Sequence, residues 1–123
     1  MSISRLLLVV ALCSCSPDAQ SLEGDGSASH SAALVPETLY RARNCITCHG
    51  RDFEGTMQAP PLRGLSAHWN ARDLAAFLKE PKPWLAKEPR LAEAARAFRT
   101  PMPPTFGTDA EHLALAQWLL AQP

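Results

Sequence analysis

Cys45-Ile46-Thr47-Cys48-His49 constrains this chain more than any other segment. Two thiols three positions apart lie about one helical turn from each other and so share one side of the chain. That spacing lets both sulfurs reach the two vinyl groups on one porphyrin edge, and the histidine that follows stands where it can bind the iron. The segment therefore reads as a covalent c-type haem attachment site, with Cys45 and Cys48 as thioether donors and His49 as proximal ligand. Two other readings compete. A structural zinc site needs four ligands, and the other cysteines, Cys13 and Cys15, lie in an N-terminal leader. A thioredoxin-like dithiol belongs in a βαβ setting, and no strand-rich pattern surrounds these residues.

The leader sets the expected compartment. One positive charge, Arg5, precedes the apolar run Leu6 to Leu12. This is the layout of a secretory signal, and it falls short of the about 20 apolar residues that span a bilayer. The run ends Leu12-Cys13-Ser14-Cys15, which resembles the bacterial lipobox. Cys15 has an aliphatic residue three places before it and small Ser14 immediately before; Cys13 fits less well, because Leu12 would fill the small-residue slot. The resemblance implies cleavage before Cys15, diacylglycerol on its sulfur and acylation of the new amino terminus. An ordinary signal peptide cut nearby is the alternative. Each buried methylene adds about 0.8 kcal/mol, so several acyl chains anchor durably where one is marginal. Either outcome puts the mature protein outside the cytoplasm, in the bacterial periplasm or cell envelope. Ser16 after Cys15, in place of Asp, resembles the pattern that permits export to the outer membrane.

Residues 1–14 thus read as a signal peptide and 15–35 as a lipidated cysteine with a flexible tether. Ser, Gly and Ala dominate the tether, with few large apolar residues to offset the entropy of ordering it. About 20 such residues have an r.m.s. span of about 25 Å, enough to lift a small domain off a membrane surface. His30, within the tether, is read as incidental.

Residues 36–123 form one domain, too small to bury a large core unaided. Pro36 suits a first helical position, and a helix bearing Leu39, Tyr40, Arg43 and Ile46 is expected to run into the attachment motif. Asn70 can cap a second helix through Glu80, with Leu74, Phe77 and Leu78 on its apolar side, stopped by Pro81. A third is expected from Pro89 to Arg99. Thr108 and Glu111 are spaced as a capping box before Leu115, Trp118, Leu119 and Leu120. No sustained strand alternation occurs. The fold class expected is all-α.

With the attachment motif, the domain resembles a class I monohaem cytochrome c over nearly all of residues 36–123. Ala59-Pro60-Pro61-Leu62-Arg63-Gly64 resembles the family's Pro-x-Leu-x-Gly turn. That match implies that the Pro60 carbonyl accepts a hydrogen bond from the His49 Nδ1–H, leaving Nε2 for iron. Arg99-Thr100-Pro101-Met102-Pro103-Pro104-Thr105-Phe106 resembles the axial-methionine loop, which implies Met102 sulfur opposite His49. Met57 is the rival sulfur, but it lies too close to His49 in sequence to reach the opposite face readily. His68 is a lesser rival as distal ligand, and His112, in the first turn of a capped helix, is expected to face solvent. The resemblance also implies a small helical domain wrapped around one haem c, with the last helix packed across the first. Tyr40, Leu115 and Trp118 are candidates for that contact. Trp69 and Trp84 are expected to line the haem pocket or shield a propionate edge.

Iron held by histidine and methionine has no open position for a substrate, so the resemblance implies one-electron transfer by a membrane-tethered carrier and not an enzyme. Two alternatives remain: a haem-bearing subunit of a larger oxidoreductase, or a ligand-binding or sensory haem with a displaceable Met102. The whole chain carries a formal net charge of +0. Asp18, Glu23 and Asp25 fall in the tether, which leaves the domain mildly basic. Lys79, Lys82, Lys87, Arg90, Arg96 and Arg99 would steer an acidic redox partner if they cluster at the haem edge; a solvated helix face is the plainer reading. Nucleic-acid binding is not indicated.

Overall fold

The computed structural model describes residues 35–123. The expected signal peptide, Cys15, His30 and the tether up to residue 34 lie outside the described residues. Among the described residues there are six α-helices and no strand. These are α1 (Pro36–Ala42), α2 (Cys45–His49), α3 (Ala71–Lys79), α4 (Pro81–Lys87), α5 (Pro89–Arg96) and α6 (Asp109–Leu120), with a 3-10 turn at Leu65–Ala67. No helix among them is long and apolar enough to cross a membrane.

Pro36 opens α1, where the missing N–H has no partner to lose. The expected single helix into the attachment motif is instead broken. Asn44 takes φ 59, in the left-handed region that Asn tolerates better than most residues, and α2 starts afresh at Cys45. Thr47 donates its hydroxyl to the Asn44 side-chain oxygen at 2.6 Å, fixing this corner.

Asn70 caps α3 by accepting the Asp73 N–H at 2.9 Å. The helix ends before Pro81, as its sequence requires, but Pro81 immediately begins another helix, α4. Pro81 and Pro83 both sit in the first turn of α4, where backbone N–H groups have no intrahelical acceptor. The helix expected to reach Arg99 stops at Arg96. At α6 the capping box is complete: Glu111 N donates to Thr108 Oγ1 at 3.2 Å, and Thr108 N donates to Glu111 Oε2 at 2.7 Å.

The core joins α1, α3 and α6. Leu39 and Tyr40 meet Leu74 and Leu78 of α3 and Leu115, Ala116 and Leu119 of α6. Tyr40, Phe53 and Trp118 form an aromatic triangle with centroids 5.2 to 5.6 Å apart. Tilted contacts of this kind add about 0.5–1.5 kcal/mol each beyond area burial. Arg43, whose side chain is 3% exposed, reaches Glu111 at 3.3 Å and ties the end of α1 to the start of α6.

The expectation that His112 faces solvent is wrong. It is 2% exposed. His112, Leu115, Ala116 and Leu119 follow the i, i+3, i+4, i+7 spacing of one helical face, and that face is the one turned to the core. The capping box marks where the helix begins; it does not say which side is wet.

Candidate functional site

One apolar cleft receives the residues singled out by sequence. Cys45, Cys48, His49, Pro60 and Met102 all line it. Its floor is built from Leu74, Phe77 and Leu78 of α3, and Leu91, Ala94 and Ala95 of α5 form another wall.

The two thiols stand on the single turn of α2, whose end is fastened from outside. Tyr40 OH donates to Gly50 O at 2.8 Å. Burial pushes the Tyr40 phenol up to about 12, with the Cys45 thiol and Glu54 adding to the shift. Burial also pushes the Cys45 thiol up, against the opposing pull of the Arg43 guanidinium. Thr56 donates its hydroxyl to Cys48 O at 2.7 Å, tying the following loop back to the motif.

His49 is 7% exposed. Its Nδ1 lies 2.8 Å from Pro60 O. A carbonyl oxygen only accepts, so Nδ1 carries the hydrogen and the Nε2 lone pair remains available to a metal. Burial holds the imidazole below its ordinary pKa, and the Pro60 bond opposes that shift only in part. The ring is therefore neutral at neutral pH, as a ligand must be.

Delivery of the Pro60 carbonyl depends on Gly55. This residue has φ +78, and a Cβ built on it would fall 2.6 Å from Pro61 N and 2.9 Å from Pro60 C. Gly55 N also donates to His49 O at 2.9 Å. Only a residue without a side chain lets the proline backbone come this close.

The rival ligands separate. Met102 is partly buried and packed against the core, whereas Met57 is 96% exposed and does not line the cleft. His68 does border the cleft but is exposed. Trp69 lines it; Trp84 stands behind, its ring centroid 5.4 Å from that of Trp69. The Arg90 guanidinium lies over the other part of this cluster, 5.4 Å from the Trp69 centroid. Of the basic residues between 79 and 99, Arg90 is the one that borders the cleft. Lys79 is paired with Asp109 at 2.6 Å and Arg96 with Glu93. The stretch thus does not act as one positive patch at the cleft.

These residues fit a large flat apolar group bonded at one edge. The walls are hydrocarbon, two thiols share a helical turn, and a neutral imidazole and a thioether complete the donors. They do not fit zinc: among the described residues no group of three or more His, Cys, Asp or Glu side chains is placed to hold a metal ion. The model of the Cytochrome c family matches residues 37–123. Neither the curated proteins nor the solved structures yield a match.

Proposed function

The chain belongs to the cytochrome c family, and on that footing we propose that it is a one-electron carrier tethered to a membrane outside the cytoplasm. Members of the family carry covalent haem c with its iron, and a domain of this size holds one. In this reading Cys45 and Cys48 hold the group by thioether bonds, and His49 and Met102 are the axial ligands. The observation that carries it is the convergence of these four side chains on one apolar cleft from which the rival Met57 is excluded.

When bound, haem c supplies a centre that gains and loses one electron. Each protein group has a separate task. Donation from His49 Nδ1–H to Pro60 O fixes the ring orientation and makes Nε2 a stronger donor. The Met102 thioether, a soft ligand, would favour the reduced metal and so raise the potential. Pro101, Pro103 and Pro104 restrict the backbone around Met102, so less entropy is lost in presenting its flexible side chain. Leu74, Leu78 and the α5 wall keep water from the cleft. With His49 and Met102 both bound to it, the iron would have no position left for a substrate, which would suit electron transfer better than turnover.

Cys15 is the proposed lipid anchor. An acidic redox partner would meet the cleft edge that bears Arg63 and Arg90, and its association would weaken with added salt.

Optical spectra of the haem-loaded protein and a Met102→Ala variant test the ligation. A low-spin wild type with the weak far-red sulfur-to-ferric-iron band, lost in the variant, is expected. A high-spin wild type, or one that readily binds carbon monoxide, would overturn it in favour of a ligand-binding haem. Radioactive palmitate should label the wild type and not Cys15→Ser; labelling of neither would remove the anchor from the proposal.

A further inference from the structure

The Met102 loop has almost no means of holding itself in place. Pro101, Pro103 and Pro104 have no N–H, so residues 101–104 offer one backbone donor, that of Met102. After Phe98 N donates to Ala95 O, the next backbone bond made by an N–H along the chain is Thr105 N to Leu78 O, at 2.9 Å. Thr105 is therefore the first point beyond Met102 at which the chain is fastened to the body of the domain.

Thr105 is in turn gripped by His112. The His112 ring, 2% exposed, has its Nε2 3.0 Å from Thr105 Oγ1 and 3.1 Å from Thr105 O. Its Nδ1 lies 2.8 Å from Thr108 O, and because the Thr105 carbonyl only accepts, Nε2 donates its hydrogen toward Thr105 O and Oγ1. The same hydroxyl lies 2.8 Å from Leu78 O. One threonine thus links α3, α6 and the loop: its hydroxyl donates its single hydrogen to Leu78 O of α3 and accepts from His112 Nε2 of α6. A polar ring placed on a core face is costly to bury unless its bonds are made, and these bonds go to the methionine loop and the turn that follows it.

We propose that His112 is a positioning residue, which fastens the Met102 loop through Thr105 and so sets how readily the Met102 sulfur leaves the iron. This rests on Met102 ligation as proposed above.

The test is a titration of the ferric, haem-loaded full chain with imidazole, which displaces the sulfur and abolishes the far-red band. Thr105→Val keeps the side-chain shape and the N–H to Leu78 and deletes only the hydroxyl. His112→Phe removes all three polar ring contacts, and His112→Gln restores a donor and an acceptor. Losing buried hydrogen bonds that act only in the closed loop should tighten imidazole binding at least about tenfold in Thr105→Val and His112→Phe. His112→Gln should recover part of the difference. A merely structural role would lower the denaturation midpoint and leave imidazole affinity alone. Affinity within about twofold of wild type in Thr105→Val would overturn the proposal, even if His112→Phe fails to fold. If the wild type lacks the far-red band, Met102 ligation itself fails and the inference falls with it; if the band is present and the variants bind as wild type does, only the inference fails.

Discussion

Gly55→Ala is the sharpest perturbation of the support beneath His49. At φ +78 an L residue in the left-handed region is disfavoured by about 1–2 kcal/mol. The new methyl carbon would also stand 2.6 Å from Pro61 N, 2.9 Å from Pro60 C and 3.0 Å from Pro61 Cδ. These are backbone and ring atoms, so no rotamer change relieves the overlap; the Pro60–Pro61 segment itself must move. Such overpacking adds about 1–3 kcal/mol, which brings the expected total to about 2–5 kcal/mol. Gly64→Ala is the internal control: its φ is +68, but a Cβ there meets nothing within 4 Å. It should lose only the conformational part, about 1–2 kcal/mol. Urea unfolding of the two haem-loaded variants measures the difference. The movement should also lengthen the 2.8 Å contact between His49 Nδ1 and Pro60 O, speeding exchange of that ring hydrogen in the reduced protein and raising the potential. Equal losses in the two variants would refute the steric reasoning. A larger loss in Gly55→Ala with unchanged exchange at His49 Nδ1 would refute the claim that Gly55 delivers the Pro60 carbonyl.

Tyr40 stays protonated in the fold to about 12 because it is buried, whereas in the unfolded chain it ionises near the ordinary phenol value. The unfolded state then binds fewer protons between about pH 10 and 12, so stability falls as pH rises through that window, by at most about 1.4 kcal/mol per pH unit before solvent screening reduces it. Tyr40→Phe should flatten that slope in denaturant midpoints measured across the window; an unchanged slope would show that Tyr40 is not its source. Leu115, 0% exposed, should lose about 2–5 kcal/mol on replacement by alanine, measured by urea unfolding, and a loss under 1 kcal/mol would place it outside the core. Thr108→Ala removes the acceptor for Glu111 N and should destabilise the domain by about 1 kcal/mol, with faster amide exchange confined to the first turn of α6. Met57→Leu should leave the far-red band intact, since Met57 is 96% exposed; loss of the band would transfer the ligand role to it.

Most of the cleft was legible because its determinants are local. Cys45, Cys48 and His49 are adjacent in sequence, and their geometry follows from one helical turn. The turn at Pro60 and the loop at Met102 could be matched because proline and glycine write backbone restrictions directly into the sequence. What escaped depended on neighbours remote in sequence or on a residue read in only one of its roles. Periodicity alone places Asn44 in a helix interior, although its ease in the left-handed region lets α1 and α2 separate and turn the thiols independently of Leu39 and Tyr40. Pro81 is a stop for α3 and also the start of α4, since a proline that no helix can extend through is the residue best suited to open the next one. The His112 error is the more instructive. The cap at Thr108 suggested an exposed first turn, while the 112, 115, 116, 119 spacing already put the ring on the apolar face. What no spacing could reveal was why a polar ring belongs there. Three prolines strip the Met102 loop of backbone donors, and the fold meets that deficit with a side chain from another element. The same prolines that restrict the backbone around Met102 thus leave the loop to be fastened at Thr105, against which the His112 ring lies.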